Sequence, residues 1–482
     1  MTRVGMEPGR ASPLATAAWT VTGVAGCVGL ALTGTRLAAV PAPGPSKMWF
    51  SLSPGHESLL RVIFYVSVAL VIGGWLGIGV QVRRRGLTPR AAFLMVTLWS
   101  IPLLLGPPLF SRDVYSYVGQ GVLAHRGFNP YSVGPSVLGG GQLLASIASV
   151  WRHTPAPYGP LFVTISRAVV TIFGHSLVAE TVAFRALELV GMALMAYSLP
   201  RLAKKLGADP GIALWLGLLS PLVLFSFVAS GHNDGLMVGL LVTGVTLASE
   251  GKLKTALVIC ALATTIKVPA AAAVVFLAVQ HLRGVQGRER LRAVAKVVLI
   301  PVATLTAVTL ASGLGWTWLG LINLRIPSEL RVLSTPTVSV GDSLSHLANL
   351  VGLSVAQHDV VTVVQYLAGA VCVVAVVWLL TRVRAGNVVR LLAISLLLVV
   401  LLSPTVWPWY LTWGLVLLAA TPSQTSKLLA LGAALAILVS GPSGTPMLSG
   451  YDYVVMTLAC LAGIVWLVRE KRWSSVLAGR VV

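Results

Sequence analysis

The chain has 482 residues, 56% of them hydrophobic and only 10% charged, with a net charge of +21. Soluble domains carry about a quarter charged residues, so this composition excludes a soluble enzyme and leaves no room for a sizeable soluble domain. The positive charge sits in short clusters between apolar runs: 83-RRRGLTPR-90, 201-RLAKK-205, 252-KLK-254, 283-RGVQGRERLRAVAK-296, 382-RVR-384 and 469-REKRW-473. That is the pattern of cytoplasmic loops, and it accounts for the charge without a nucleic-acid partner.

Apolar runs long enough for a bilayer core of about 30 Å recur throughout. They predict an all-α polytopic membrane protein of about 12–14 transmembrane helices, one pair of them a short hairpin. Residues 1–482 read as one integral membrane unit. The N-terminus is expected to be cytoplasmic, with Arg3 and Arg10 ahead of a first helix over 15–40 that is too long for a signal-peptide core. A second helix over 59–82 ends on the Arg83–Arg85 cluster. A third, over 91–109, exits on the outer face.

Residues 111–175 form the first large outer loop, in which 114–127 and 158–174 read as amphipathic helices lying in the interface. Helices follow over 176–199, 211–229 and 236–249. Residues 255–282 are apolar with basic loops at both ends, yet two crossings need about 40 residues. The break 264-TTIKVP-269 therefore predicts two short helices that turn at depth, with Lys267 near the tip. Further helices are expected over 296–314, 359–381, 387–402, 409–421, 427–441 and 452–468. The second outer loop is 315–358 and the third is 403–413. The C-terminus is expected to be cytoplasmic. Cys27, Cys260, Cys372 and Cys460 fall inside apolar runs and read as packing thiols.

Several polar groups gather on the outer face of this topology. Asp113 stands at the mouth of the third helix, where an ionisable group is a functional candidate. In 232-HND-234, Asp234 either caps the following helix or joins a site with His232 and Asn233. Such a triplet can ligate a divalent cation, but no partner cluster has ligand spacing, so no metal site is assigned. Lys267 at depth needs an anion, either a protein carboxylate or a lipid phosphate. Arg325 and Arg331, with Arg112 a further possibility, suit a phosphate; snorkelling to headgroups is the alternative. The Trp and Tyr residues of 407–413, with Trp407, Trp409 and Tyr410 foremost, form either an interfacial belt or a stacking wall for a sugar, and Tyr115 and Tyr158 would line the sugar or acceptor site with His232, Asn233 and Asp234.

A transferase at that face needs a donor delivered by lipid, and a polyprenyl-phosphate sugar fits. Asp113 would then be the general base for an acceptor hydroxyl. The cations would hold the departing phosphate.

The segments 111-SRDVYSYVGQGVLAHRGFNPY-131, 154-TPAPYGPLF-162, 230-SGHNDGLMVGL-240, 264-TTIKVPAA-271 and 403-SPTVWPWYLTW-413 together resemble the actinobacterial polyprenol-phosphomannose-dependent α-1,6-mannosyltransferases of the MptA/MptB type. The resemblance covers about 60–440. It implies a GT-C glycosyltransferase fold with an acidic residue in the first large extracytoplasmic loop, here Asp113. It also implies a β-linked polyprenyl-phosphate-mannose donor, inversion in one displacement, and a growing α-1,6-mannan glycolipid acceptor of the lipomannan and lipoarabinomannan backbone. No cofactor is required; metal use varies across the wider fold, so a divalent cation is compatible. One departure is that two helices precede the one leading to the loop, and Glu57 in the short 41–58 loop is not favoured as base.

Three other readings compete: a transferase of another polyprenyl-phosphate sugar such as arabinose or glucose, a transporter or flippase of lipid-linked sugars, and a non-catalytic scaffold. A transporter predicts inverted repeats and midplane charge pairs. Here Lys267 lies at depth with Glu188 its one candidate partner, and the other polar groups gather on one side.

Overall fold

The structure is a computed structural model that describes residues 13–37, 56–174, 176–323, 335–423, 432 and 441–444. Every regular element among them is helical. In chain order these are α1 (Pro13–Leu37), α2 (Glu57–Arg85), α3 (Pro89–Leu105), α4 (Asp113–His125), α5 (Gln142–Ser146), α6 (Ser149–Arg152) and α7 (Pro160–Phe173). They continue with α8 (Leu177–Lys205), α9 (Pro210–Gly217), α10 (Pro221–Val223), α11 (Asp234–Ser249), α12 (Leu253–Thr264) and α13 (Ala271–Arg283). The last are α14 (Glu289–Ser312), α15 (Pro336–Leu350), α16 (Gln357–Thr381), α17 (Val388–Leu401) and α18 (Thr412–Ala419).

The helix starts are written in the sequence. Thr88, Asp209 and Thr335 each accept a first-turn N–H through the side chain, and each is followed by proline. That combination satisfies an otherwise free donor and presets the first helical φ.

Four helices are long and apolar enough to cross a bilayer alone: α1, α2, α14 and α16. A fifth span results if α9 and the segment Pro221–Ala229, bent by 43°, count as one broken helix. Reaching the expected twelve to fourteen crossings therefore requires the shorter apolar helices of 10–17 residues and chain beyond the described residues. The predicted helices over 427–441 and 452–468 lie outside the described residues, apart from Gly432 and Gly441. The predicted hairpin is present: α12 and α13 are short, and Lys267 sits in the break between them. Cys27 and Cys260 are buried, while Cys372 is half-buried on α16.

Two segments differ from expectation. Read as an interfacial helix, α4 is buried at 10 of its 13 residues, because it is covered by α7 and α8. The second outer loop contains a full helix, α15, packed on α16 where Gly341 meets Val361. Its Thr335-Pro336 start is a helix signal, but serine and glycine in its body mask the apolar periodicity.

The centre of the molecule is a close crossing of α8 and α11. A Cβ on Gly191 would lie 2.2 Å from the Gly235 carbonyl oxygen, and one on Gly239 would lie 2.4 Å from that of Gly191. Small residues let helix backbones approach this closely in a membrane. The crossing brings Glu188 of α8 to the first turn of α11, where its carboxylate accepts the Leu236 N–H at 2.8 Å. The start of α11 is thus capped by a neighbouring helix rather than by its own Asn233, which makes no capping bond.

Candidate active site

The motifs quoted from the sequence meet in pairs. Phe110, just before α4, has φ 62° and its ring stacks on Phe225 at 5.0 Å. A left-handed conformation costs a non-glycine residue of order 1–3 kcal/mol and persists only where packing enforces it. Leu109 N–H donates to the Ala229 carbonyl at 2.9 Å, and the Ser230 hydroxyl donates to the Leu109 carbonyl at 2.8 Å. These bonds tie the start of α4 to the loop that carries His232. Farther along, Gly159 N–H donates to Ile266 O at 2.9 Å and Leu161 N–H to Thr265 O at 3.0 Å. A Cβ on Gly159 would lie 2.3 Å from the Thr265 oxygen, so only glycine allows this pairing. It sets Tyr158 beside the break that bears Lys267.

Asp113 is the first residue of α4. The Trp151 indole N–H donates to its Oδ1 at 2.8 Å, and Oδ2 lies 3.5 Å from His232 Nδ1. Its side chain is 13% exposed, whereas that of His232 is fully buried. Burial pushes the Asp113 carboxyl up to about 6, against the opposing effects of the Trp151 bond and nearby Lys267. Burial, and then Lys267, hold the His232 imidazole well below its usual range, so it is neutral. A carboxylate that titrates near neutrality and retains solvent access is suited to general-base work.

Asp234 is placed differently. Lys267 Nζ donates to both of its oxygens at 2.9 Å, and the Trp413 indole donates to Oδ1 at 2.5 Å. Its side chain is 0% exposed. Lys267 is thus paired with a protein carboxylate and roofed by aromatic faces, with Tyr410 at 4.5 Å and Trp413 at 5.4 Å. Its hydrogen-bonded partner is Asp234, not Glu188, which accepts from α11 instead. Breaking such a pair on one side costs about 3–5 kcal/mol.

Aromatic rings join these groups into a wall. Trp409 stacks on His232 with centroids 3.6 Å apart and on Trp407 at 4.8 Å, and Tyr410 stacks on Trp413 at 4.6 Å. Tyr158 meets Tyr117 edge-on at 5.1 Å. The structure therefore assembles Asp113, Tyr158, His232, Asp234, Lys267, Trp407, Trp409 and Tyr410. Asn233 is fully buried with both amide atoms unpartnered. Tyr115 is buried on the side of Arg185 and Arg112. Arg112 reaches the carbonyls of Ser146 and Ala145, each at 2.8 Å. Arg325 and Arg331 lie outside the described residues.

Sequence reasoning passed over Trp151 and Arg185, and it counted Trp413 among the aromatic residues of 407–413 without its bond to Asp234. Arg185 is fully buried on α8 and donates to the carbonyls of Val228 and Gly106 at 2.7 Å and to that of Leu103. It binds the end of α3 to the segment before the His232 loop. A charged residue inside the apolar run 177–200 was its one visible signal. Among the described residues no group of three or more His, Cys, Asp and Glu side chains is arranged to hold a metal ion.

A helical membrane protein whose buried polar centre keeps one partly exposed carboxylate beside an aromatic wall fits the class of membrane enzymes. Residues 20–283 match the family described as Alpha-(1->6)-mannopyranosyltransferase, N-terminal domain, and residues 337–469 match the MptB C-terminal domain. The chain belongs to this mannopyranosyltransferase family. It is 32% identical over 422 residues to alpha-(1->6)-mannopyranosyltransferase A of Mycobacterium tuberculosis, covering 84% of this chain and 80% of that one. It is 28% identical over 452 residues to alpha-(1->6)-mannopyranosyltransferase A of Corynebacterium glutamicum, covering 86% and 90%. No solved structure matches it.

Proposed function

We propose that this protein transfers mannose from a polyprenyl-phosphate-mannose lipid to an α-1,6-mannan glycolipid on the extracytoplasmic face of the plasma membrane, with inversion, using a GT-C fold. Family membership supports mannosyl transfer. The observation that carries the mechanism is Asp113: it is the partly exposed carboxylate of the site, held by Trp151 and facing a neutral His232. Asp234 is fully engaged and closed to substrate.

In the proposed step an acceptor hydroxyl lies against Asp113 while its oxygen attacks the anomeric carbon. The new C–O bond forms as the bond from that carbon to the phosphate oxygen breaks. The bonding pair leaves on the phosphate, and the hydroxyl proton passes to Asp113. Trp407, Trp409 and Tyr410 supply faces for the sugar or acceptor, with Tyr115, Tyr158, His232 and Asn233 alongside. Lys267, Arg325, Arg331 and Arg112 are the donor-phosphate candidates, and the geometry of Lys267 favours a structural part in holding Asp234.

The test is transfer of radiolabelled mannose from polyprenyl-phosphomannose to a synthetic α-1,6-dimannoside, comparing wild type with Asp113→Asn in membranes at matched expression. The proposal expects a loss of at least about a hundredfold in the variant. Equal activity in both would remove Asp113 as base. Transfer from a polyprenyl-phosphate arabinose or glucose donor, with none from mannose, would change the sugar and keep the chemistry.

A further inference from the structure

Arg152 has no part in the reading above. It ends α6, directly after the tryptophan that holds Asp113. Its Nε donates to the Ile147 carbonyl at 3.0 Å and its Nη2 to that of Ala145 at 3.2 Å. Arg112, directly before Asp113, donates from Nε to Ser146 O and from Nη2 to the same Ala145 oxygen, both at 2.8 Å. Two guanidinium groups thus grip three consecutive carbonyls and share one of them.

This arrangement has three chemical consequences. Two like charges are held side by side, and neither has a carboxylate within 4.0 Å among the described residues. Each guanidinium uses only its Nε and Nη2, so each leaves an Nη1 amino group with two N–H donors and no protein partner among the described residues. Both side chains are half-buried. Two fixed guanidinium groups without a carboxylate partner, each with its Nη1 donors free, suit phosphate oxygens. The Trp151–Asp113 bond fixes this pair to the carboxylate, because each arginine is the chain neighbour of one partner in that bond.

We propose that Arg112 and Arg152 together form the site for the phosphate ester of the lipid-borne donor, taking up the charge that develops on the leaving phosphate. This rests on the proposed transferase reading and assigns its phosphate subsite to a residue pair that includes Arg152. Lys267, being committed to Asp234, is then not the phosphate ligand.

The experiment uses the full chain in nanodiscs of zwitterionic lipid, with polyprenyl monophosphate as probe and tryptophan fluorescence as readout. Wild type, Arg112→Gln, Arg152→Gln and Arg152→Lys are compared, with Arg126→Gln as control and thermal midpoints to verify folding. Saturable binding is expected in wild type and the control. Both Gln variants should weaken it about tenfold or more, as the loss of a hydrogen bond to a charged group does. Arg152→Lys keeps the charge without the guanidinium geometry and should fall between wild type and Arg152→Gln. In transfer assays the donor KM should rise while the acceptor KM holds.

Unchanged binding in the folded variants would overturn the pair and leave the transferase reading intact. Equal displacement of the probe by anionic phospholipid or by inorganic phosphate would also overturn it, reducing the site to a headgroup or free-anion contact. Absence of saturable binding in wild type would overturn it as well. Arginine-dependent binding without mannose transfer would uphold the pair and discard the sugar assignment.

Discussion

Trp151 and Asp113 are joined by a 2.8 Å hydrogen bond from the indole N–H to Oδ1, which leaves Oδ2 as the oxygen that faces His232. The bond spans the first large loop and fixes the carboxylate in one orientation. Removing it with Trp151→Phe keeps the ring and deletes the donor. Because this bond opposes the effect of burial on Asp113, the acid limb of kcat/KM should move to higher pH in the variant. Activity at pH 7 should drop roughly tenfold, consistent with a hydrogen bond to a charged group. A pH–rate profile of both proteins reads this directly.

In the wild type, the Asp113 carboxyl titrates near 6. As the base, it must be ionised, so kcat/KM should be flat above that value and fall about tenfold per unit below it. An acid limb at the usual carboxylate value near 4 would contradict the burial assigned to this group.

The same shift acts on stability with the opposite preference. The folded carboxyl binds its proton more tightly than the unfolded one, whose ordinary value is 3.8. Stability from this group is therefore present below pH 3.8 and lost as pH rises through about 6. At neutral pH the ionised side chain destabilises the fold by on the order of 2–3 kcal/mol. Asp113→Asn should consequently be inactive and more heat-stable at pH 7, with the gain shrinking towards pH 4. Thermal midpoints in detergent across that range test it.

The Asp234–Lys267 pair predicts strong coupling. Asp234→Asn or Lys267→Met alone leaves one buried charge unpartnered and should destabilise the protein by about 3–5 kcal/mol. The double variant should recover a substantial part of that loss, because neither charge remains. Additive losses in the cycle would mean that the two side chains act independently.

Trp409 lies face to face with His232 at 3.6 Å. Trp409→Ala removes that stack and the wall behind it. If the wall receives the acceptor, acceptor KM should rise several-fold while binding of polyprenyl phosphate is unchanged. Isothermal titration with the two ligands separates these outcomes.

Close packing at Gly159 gives a further check. Gly159→Ala forces a methyl against the Thr265 carbonyl at 2.3 Å and must break the two backbone bonds to the hairpin. A loss of about 1–3 kcal/mol is expected, together with loss of activity as Tyr158 and Lys267 shift.

The membrane class, most helix positions and the broken pair around Lys267 were legible in the chain itself, since apolar run length and basic clusters are local properties. The residue types of the site were legible too: ionisable and aromatic groups are rare in apolar chains, and Asp113, His232, Asp234 and Trp409 stood out for that reason. Partner choice was not. Whether Lys267 meets a protein carboxylate or a ligand, and which of Asp113 and Asp234 stays open, depends on how helices cross. That crossing is governed by backbone contact at Gly191 and Gly239 and by the left-handed turn at Phe110, neither of which leaves a periodic trace. The burial of α4 and the Trp151–Asp113 bond emerged only in three dimensions, because each depends on neighbours outside its own segment, whose pattern reads as loop or interface; α15 escaped notice because serine and glycine in its body mask the apolar periodicity.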